Sequence, residues 1–456
     1  MMRAIPNSPE ARDIDYALHP YTNARRHQEV GPLVMAKGDG AHVEDIHGRR
    51  YIEAMAGLWS VAVGFSERRL VDAATRQMEE LPFYHGFGHK SHMPLIDLSE
   101  KLVQMAPVPM SKAFFTNSGS EANDTAMKLV WYRANAMGQP QRKKIIARKR
   151  GYHGVTIASA SLTGIAYNHT SFDLPIAGVL HTSCPHYWRE GRDGESEEEF
   201  ATRMADELEA LIEAEGPETI AAFIAEPVMG AGGVVVPPAG YWQKIQAVLA
   251  RHDILLIADE VICGFGRTGN MFGCETYDIR PDIMVLSKAL SSSYLPISAV
   301  LVNERVFEPI ADESNRIGTL GHGFTGSGHP VAAAVALENL RIIEERGLVE
   351  NARARGAQMQ ARLRAVADHP LVGEVRGVGL IAAVEVSGAA LGESAPAPGV
   401  LGARMTALLQ ENGVISRNLV DACAFCPPLV ISRAEVDTMA DALEASLATA
   451  AQEYGL

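Results

Sequence analysis

A chain of 456 residues exceeds the ~250 to 300 residues at which a single core stops growing, so two globular units are expected. With 47% hydrophobic and 21% charged residues it can bury substantial cores and lacks the signature of disorder. Its net charge of −14, from 41 basic and 55 acidic side chains, argues against a nucleic-acid-binding face, which needs a clustered surplus of Lys and Arg.

The first twenty residues mix charges and prolines without an apolar stretch, so no signal peptide is expected. Nowhere do ~18 apolar residues run together, as a membrane span requires. Five cysteines, an odd number in a long chain, do not resemble a disulfide framework. These features predict a cytoplasmic protein with free thiols. Cys423 and Cys426 form a lone C-x-x-C that is expected to pack.

Short apolar runs alternate with helical patterns through the middle of the chain, the signature of βαβ units and a mostly parallel sheet. Strands are predicted at Lys112–Thr116, Lys144–Arg148, Ile220–Ala225, Ile254–Ala258, Ile283–Ser287 and Ser298–Val302. Helices are predicted at Glu121–Met137, Phe200–Ala214 and Gly240–His252. The basic run Gln141–Arg150 surrounds Ile145 and Ile146 and reads as solvated strand flanks, and the acidic stretch Glu190–Glu199 as a surface loop entering a helix. After Pro330 come two helices, Val331–Glu345 and Ala352–Ala367, then glycine-punctuated strands around Gly373–Glu385 and a last helix from Arg433. The loops Gly318–Pro330 and Ser387–Val400 frame this second part. A large α/β domain over 61–329 and a small α+β domain from 1–60 with 330–456 are expected.

In open parallel sheets, ligands bind in the crevice beyond the carboxyl ends of the strands. The residues standing there are Thr116-Asn117-Ser118-Gly119-Ser120, Gly151-Tyr152-His153-Gly154, Glu226-Pro227, Asp259-Glu260-Val261 and Lys288. Ser118-Gly119-Ser120-Glu121 lies between a strand and a helix, with Ser118 and Glu121 at capping-box spacing, so free N–H groups and the helix dipole point at this loop and suit an anion. Asp259 ends an apolar strand, where a carboxylate needs a partner, and a protonated pyridine nitrogen would serve. Side-chain alternation puts Asp259 and Val261 on one face and turns Glu260 away. Lys288 ends another apolar run, where desolvation favours the neutral amine that attacks an aldehyde. A structural salt bridge at Asp259 and a snorkelling lysine at Lys288 are the bland alternatives to each reading taken singly.

The sequence resembles the class III aminotransferases, the ω-transaminase group of pyridoxal-phosphate enzymes of fold type I. The likeness runs over nearly the whole chain. Its carriers are Phe114–Asp124 (F-F-T-N-S-G-S-E-A-N-D), Gly151–Gly154 (G-Y-H-G), Ile257–Gly269 (I-A-D-E-V-I-C-G-F-G-R-T-G), Ser287–Leu290 (S-K-A-L) and Phe324–Pro330 (F-T-G-S-G-H-P). The resemblance implies a fold type I large domain with a mostly parallel, seven-stranded-type sheet and a smaller α+β domain. It implies that Lys288 holds pyridoxal 5'-phosphate as a Schiff base, that Asp259 pairs with the pyridinium nitrogen, and that Val261 and Tyr152 flank the ring. Gly119 and Ser120 would hold the phosphate, Thr325 would reach it from a neighbouring subunit, and Glu226 would support the polar network. An obligate homodimer or a tetramer follows, with an amine or ω-amino acid as donor, a keto acid such as pyruvate as acceptor, and pyridoxamine phosphate formed between the two half-reactions. A 2-oxoglutarate-dependent enzyme, a 2,1-aminomutase, a decarboxylating transaminase and a non-catalytic cofactor-binding protein are the alternatives.

On the substrate side, Trp59 matches an aromatic pocket wall, and Arg417 matches a mobile arginine that takes a carboxylate bidentately. The segment Phe83–His92 departs from the family pattern with His85, His89 and His92 among glycines. Its spacing could mimic a metal site, but the glycines argue against the helix such a site needs. The segment, Phe87 included, is expected to line the pocket and tune substrate choice, with no metal.

Overall fold

The computed structural model describes residues 6–456; the first five residues of the stretch read for a leader lie outside this range. Three sheets organise the chain. Strands β1 (Met35–Asp39), β2 (His42–Asp45) and β3 (Arg50–Glu53) form an antiparallel meander. The central sheet holds β4 (Lys112–Thr116), β5 (Lys144–Arg148), β6 (Val179–Thr182), β7 (Ile220–Ala225), β8 (Leu255–Asp259), β9 (Ile283–Leu286) and β10 (Ser298–Val302). Its order is β4-β10-β9-β8-β7-β5-β6, with β10 antiparallel to both neighbours and the other strands parallel. Toward the C-terminus, β11 (Val372–Val378), β12 (Ile381–Val386), β13 (Val414–Ile415), β14 (Arg417–Leu419) and β15 (Ala422–Phe425) follow. Strand β13 pairs with β3 and so ties the N-terminal meander to the C-terminal part, while β11-β12-β15-β14 form an antiparallel sheet.

The central strands are apolar throughout because helices cover both faces. Ile145, Ile224, Leu255, Ile257, Ile283 and Val285 point into one core with helix Gly119–Ala136. Their neighbours Ile146, Phe223, Leu256, Ala258, Met284 and Leu286 point into the other, which continues through helices Tyr241–Arg251 and Pro330–Glu345 to the C-terminal helix Arg433–Glu453. This strict alternation fixes which side chains emerge at the strand ends.

The predicted strands β4, β5, β7 and β10 have the observed bounds, β8 is displaced by one residue at both ends so that Asp259 closes it, and β9 ends one residue sooner, at Leu286. The short edge strand β6 was not expected from its mixed composition. Helix Gly119–Ala136 starts two residues early because Ser118 caps it. The acidic stretch does lead into a helix, Glu197–Glu215, opened by a Ser196–Glu199 capping box. The basic run is not uniformly solvated: Arg148 is buried, donates to the Glu226 carbonyl and lies over the Trp242 ring at 5.4 Å. A carbonyl acceptor and an aromatic face replace part of the water it loses, and its Nε and Nη1 are buried without a hydrogen-bond partner among the described residues. All five cysteines are free and buried.

Candidate active site

The parallel strands end on one crevice, and a cavity of about 360 Å³ opens there. Asp259 and Val261 both line it, whereas Glu260 turns away to accept the N–H groups of Gly273 (3.0 Å) and Cys274 (2.6 Å). Asp259 is 2% exposed. Its Oδ2 accepts from Asn123 Nδ2 (2.9 Å) and lies 2.8 Å from His153 Nδ1, while Oδ1 accepts the Val261 N–H at 3.1 Å. A carboxylate so held keeps acceptor capacity on Oδ1, and it stays fixed while a ligand changes.

Lys288 follows β9 in a left-handed backbone conformation (φ 48°), and its carbonyl is held by the N–H groups of Ser291 and Ser293, both at 3.2 Å. Such a conformation is uncommon for a residue bearing a side chain and recurs where geometry serves chemistry. The amine lines the cavity and has no ion-pair partner among the described residues. Burial pushes its ammonium below the usual lysine range, against Asp259 and Glu226, which favour the charged form. The result is a lysine whose neutral form is within reach.

The third element is the start of helix Gly119–Ala136. Ser118 Oγ accepts the Glu121 N–H at 3.2 Å, but the Glu121 carboxylate takes the Asn117 N–H (2.7 Å) and side-chain amide (2.9 Å) instead of closing a capping box on Ser118. The first-turn N–H groups of Gly119 and Ser120 thus have no acceptor within the helix and face the cavity. A Cβ on Gly119 would stand 3.4 Å from both Val261 methyls, so glycine lets this turn lie close against Val261. Gly154 is more constrained. At φ 133° it approaches Ser120 so closely that a Cβ would lie 2.5 Å from Ser120 Oγ, and the neighbouring Val155 N–H donates to that oxygen at 3.1 Å.

Tyr152 lines the cavity, and Glu226 orients it by accepting its N–H (3.0 Å) together with that of Gly230 (2.8 Å). Burial raises the Glu226 carboxyl above its ordinary value, countered by His153. The Tyr152 phenol is raised too, by burial and then by its contact with Tyr21. Trp59 is 2% exposed and reaches the cavity from a kinked turn in which Ala56, Gly57 and Trp59 all have positive φ. Arg417, the first residue of β14, also lines the cavity, with no carboxylate in ion-pair range among the described residues.

Two expected residues are not brought to the cavity of the single chain. Phe87 is 48% exposed and packs against the backbone at Gly323, and Thr325 is exposed in the adjacent loop. The histidines of that segment do separate work: His85 stacks on Tyr84, and His92 Nδ1 caps helix Met93–Met105 by accepting the Leu95 N–H at 3.2 Å. Conversely, Tyr21 and Tyr167 line the cavity without having been singled out. Tyr21 Oη accepts from Asn168 (2.5 Å) and lies 3.5 Å from Tyr152 Oη. Asn123 and His153 were visible only inside motifs, with no sign of their convergence on Asp259.

A desolvated lysine, a braced carboxylate and a free helix N-terminus in one crevice define an enzyme that holds a phosphorylated cofactor and an electrophilic carbon. Residues 22–447 match the family Aminotransferase class-III. A mitochondrial gamma aminobutyrate transaminase of Solanum lycopersicum is 53% identical over 424 residues, 92% of this chain and 82% of the relative. The vanillin aminotransferase of Capsicum annuum is 50% identical over 424 residues, 92% of each. The omega transaminase of Pseudomonas jessenii in complex with PMP superposes with a TM-score of 0.97 at 60% identity, covering 98% of this chain and 99% of that one. A structure described as a transaminase with L-ala is 71% identical, with a TM-score of 0.91 over 92% of this chain and all of that one. The chain belongs to the class III aminotransferases, is a pyridoxal-phosphate-dependent enzyme of fold type I, and transfers amino groups.

The residues present fit that cofactor. Asp259 Oδ1 has capacity for a ring N–H, the helix start offers backbone donors to a phosphate, and the Lys288 amine stands unpaired in the same cavity. No helix among the described residues is long and apolar enough to cross a membrane.

Proposed function

We propose that this aminotransferase moves the amino group of a primary amine or ω-amino acid to pyruvate, with Lys288 as its catalytic residue. When bound, pyridoxal phosphate supplies an electrophilic aldehyde carbon and an electron-withdrawing ring. Lys288 would hold that carbon, and its Nζ, neutral when released, would carry the proton. Asp259, braced by His153 and Asn123, keeps the ring nitrogen protonated. Gly119 and Ser120 hold the phosphate, Tyr152 and Val261 flank the ring, and Glu226 fixes Tyr152. Trp59 walls the substrate space. Arg417 takes the acceptor's carboxylate with its planar fork.

The observation that carries this reading is that Lys288 and Arg417, neither in an ion pair among the described residues, line one cavity together with Tyr21, Trp59 and Tyr152. One suits a carbonyl and the other a carboxylate, and a small keto acid followed by an apolar amine satisfies both in turn. The names of the relatives point the same way, to ω-amino-acid and aromatic substrates and to L-alanine, the product of pyruvate. Mixing the holoenzyme with pyruvate and an arylalkylamine should yield alanine and the ketone. Absence of alanine across a broad amine panel would overturn the assignment, and faster turnover with 2-oxoglutarate would move the acceptor.

The proposal includes a homodimer in which Phe87 and Thr325 of each chain serve the other chain's cavity. Its support is their exposure outside the chain's own cavity, together with exposed Val155, Ile157 and Phe172. The division into 61–329 against 1–60 with 330–456 belongs to the proposal too, supported by the separate sheets and the β3–β13 pairing. Five unpaired thiols support a reducing compartment, the cytoplasm.

A further inference from the structure

The N-terminal strap carries chemistry that the transamination does not use. Helix Pro9–Tyr16 presents Asp13, helix Ala24–Val30 presents His27, and the link between them carries His19 and Tyr21. His19 Nε2 lies 2.8 Å and His27 Nε2 2.9 Å from the same atom, Asp13 Oδ1, and the second Asp13 oxygen is 3.0 Å from His19 Nε2. The two imidazole rings stand 4.3 Å apart, tilted by 40°. Both ring nitrogens and the carboxylate oxygen fall within 4.8 Å of one another. The three side chains are 33% (His19), 25% (Asp13) and 11% (His27) exposed, sheltered yet open to an ion from solvent.

We propose that Asp13, His19 and His27 form a binding site for a divalent transition-metal ion of the Zn²⁺ type. Two imidazoles and one carboxylate aim at one point from three separate stretches of chain. Zinc takes such ligands at about 2.0 to 2.2 Å, which puts tetrahedral neighbours roughly 3.4 Å apart. The nitrogen–oxygen pairs need only open by about half an ångström to admit the ion, a small side-chain adjustment. The ion takes the place of the two N–H protons that now bridge to Asp13, and water completes its shell. Imidazole nitrogens select Zn²⁺, Co²⁺ or Ni²⁺ over Mg²⁺ and Ca²⁺, which prefer all-oxygen sites. Glu10, one turn earlier on the same helix, is engaged by His47 at 3.2 Å and stays outside the set. A second group of three donors, His186, Glu374 and Glu385, carries no such reading, because Arg376 pairs with both carboxylates and Arg189 with Glu385.

Binding would staple the two helices on either side of Tyr21, whose phenol sits beside Tyr152 at the cavity. The ion is therefore structural, holding one cavity wall in place.

The test uses full-length holoenzyme, freed of any affinity tag and stripped with a chelator, titrated with Zn²⁺ by calorimetry and by dialysis with metal analysis. One ion per chain is expected in the wild type. Asp13→Asn and His27→Gln, both close in shape to the residues they replace, should each weaken that site by more than roughly tenfold, the loss that even an outer-shell partner can cause. Co²⁺ should give a visible ligand-field spectrum in the wild type that both variants lack. Zn²⁺ should raise the melting temperature of the wild type alone. No bound ion in the wild type, or unchanged stoichiometry and affinity in both variants, overturns the proposal.

Discussion

Glu53 closes β3 and holds the turn that brings Leu58 and Trp59 to the cavity. It is 7% exposed, and its carboxylate accepts the Met55 N–H at 2.9 Å, immediately before the left-handed residues Ala56, Gly57 and Trp59. Burial pushes its carboxyl from 4.5 up to about 7, against the N–H groups of Met55 and Gly57, which favour the charged form. At ~1.4 kcal/mol per pH unit, that difference disfavours the charged form by about 3 kcal/mol. The folded chain therefore binds the Glu53 proton more tightly than the unfolded chain does. The stability contributed by protonated Glu53 is fully present below pH 4.5, is lost as the pH rises toward 7, and changes no further above that. Glu53→Gln removes the titration and keeps an oxygen for Met55. In urea unfolding series run between pH 4.5 and 8.5, the variant should gain on the wild type by about 3 kcal/mol, nearly all of it below pH 7. Glu260, also pushed up to about 7 by burial, titrates in both proteins and cancels from the difference. A gap between variant and wild type that stays constant with pH would refute the reasoning.

Lys288→Ala should lower steady-state turnover by about 10³-fold or more while circular dichroism stays native, because both the covalent hold and the proton carrier are removed. Asp259→Asn should retain most of the His153 and Asn123 contacts yet lower kcat by roughly 10²-fold, since a neutral amide no longer favours the protonated ring; an unchanged kcat would remove Asp259 from its role. Arg417→Leu should raise KM for pyruvate by roughly 10- to 100-fold and leave KM for an uncharged-tail amine nearly unchanged, the difference being one charge-assisted pair. Gly154→Ala should weaken cofactor retention in equilibrium dialysis, because its Cβ meets Ser120 Oγ at 2.5 Å and the backbone is left-handed there.

How much of this was legible in the sequence depends on where each residue takes its orientation. Asp259 and Lys288 stood out because each ends an apolar run buried on both faces, where a polar residue cannot be accidental, and alternation alone separated Val261 from Glu260. Strand β6 escaped notice because an edge strand with His181 and Thr182 in it shows no buried run. The pairing of β3 with β13 joins segments more than 350 residues apart, and neither carries a local signal for the other. The same holds for the brace around Asp259: Asn123 projects from the second turn of a helix and His153 from a loop, and only the folded sheet brings them to one carboxylate oxygen. Tyr21 lies between two short helices with no buried residues, so no periodicity marks it, although it lines the cavity.

The division between what the single chain supplies and what it lacks follows the same physical line. Asp259, Lys288, Gly119 and Ser120, the groups proposed to act on the cofactor, stand at strand ends or the helix start of the central sheet, where hydrogen bonds and packing hold Asp259 in place. Phe87 and Thr325 sit on exposed loops outside that cavity. If the dimer proposed above is correct, weakening it should leave the Asp259 brace and Lys288 intact while loosening phosphate retention and substrate selection together. A variant with Thr325→Ala should then show weaker cofactor retention by equilibrium dialysis, and one with Phe87→Ala an altered amine range at little-changed pyruvate KM. Should neither substitution alter cofactor retention or amine choice, the cavity of one chain is complete by itself and the shared site is wrong.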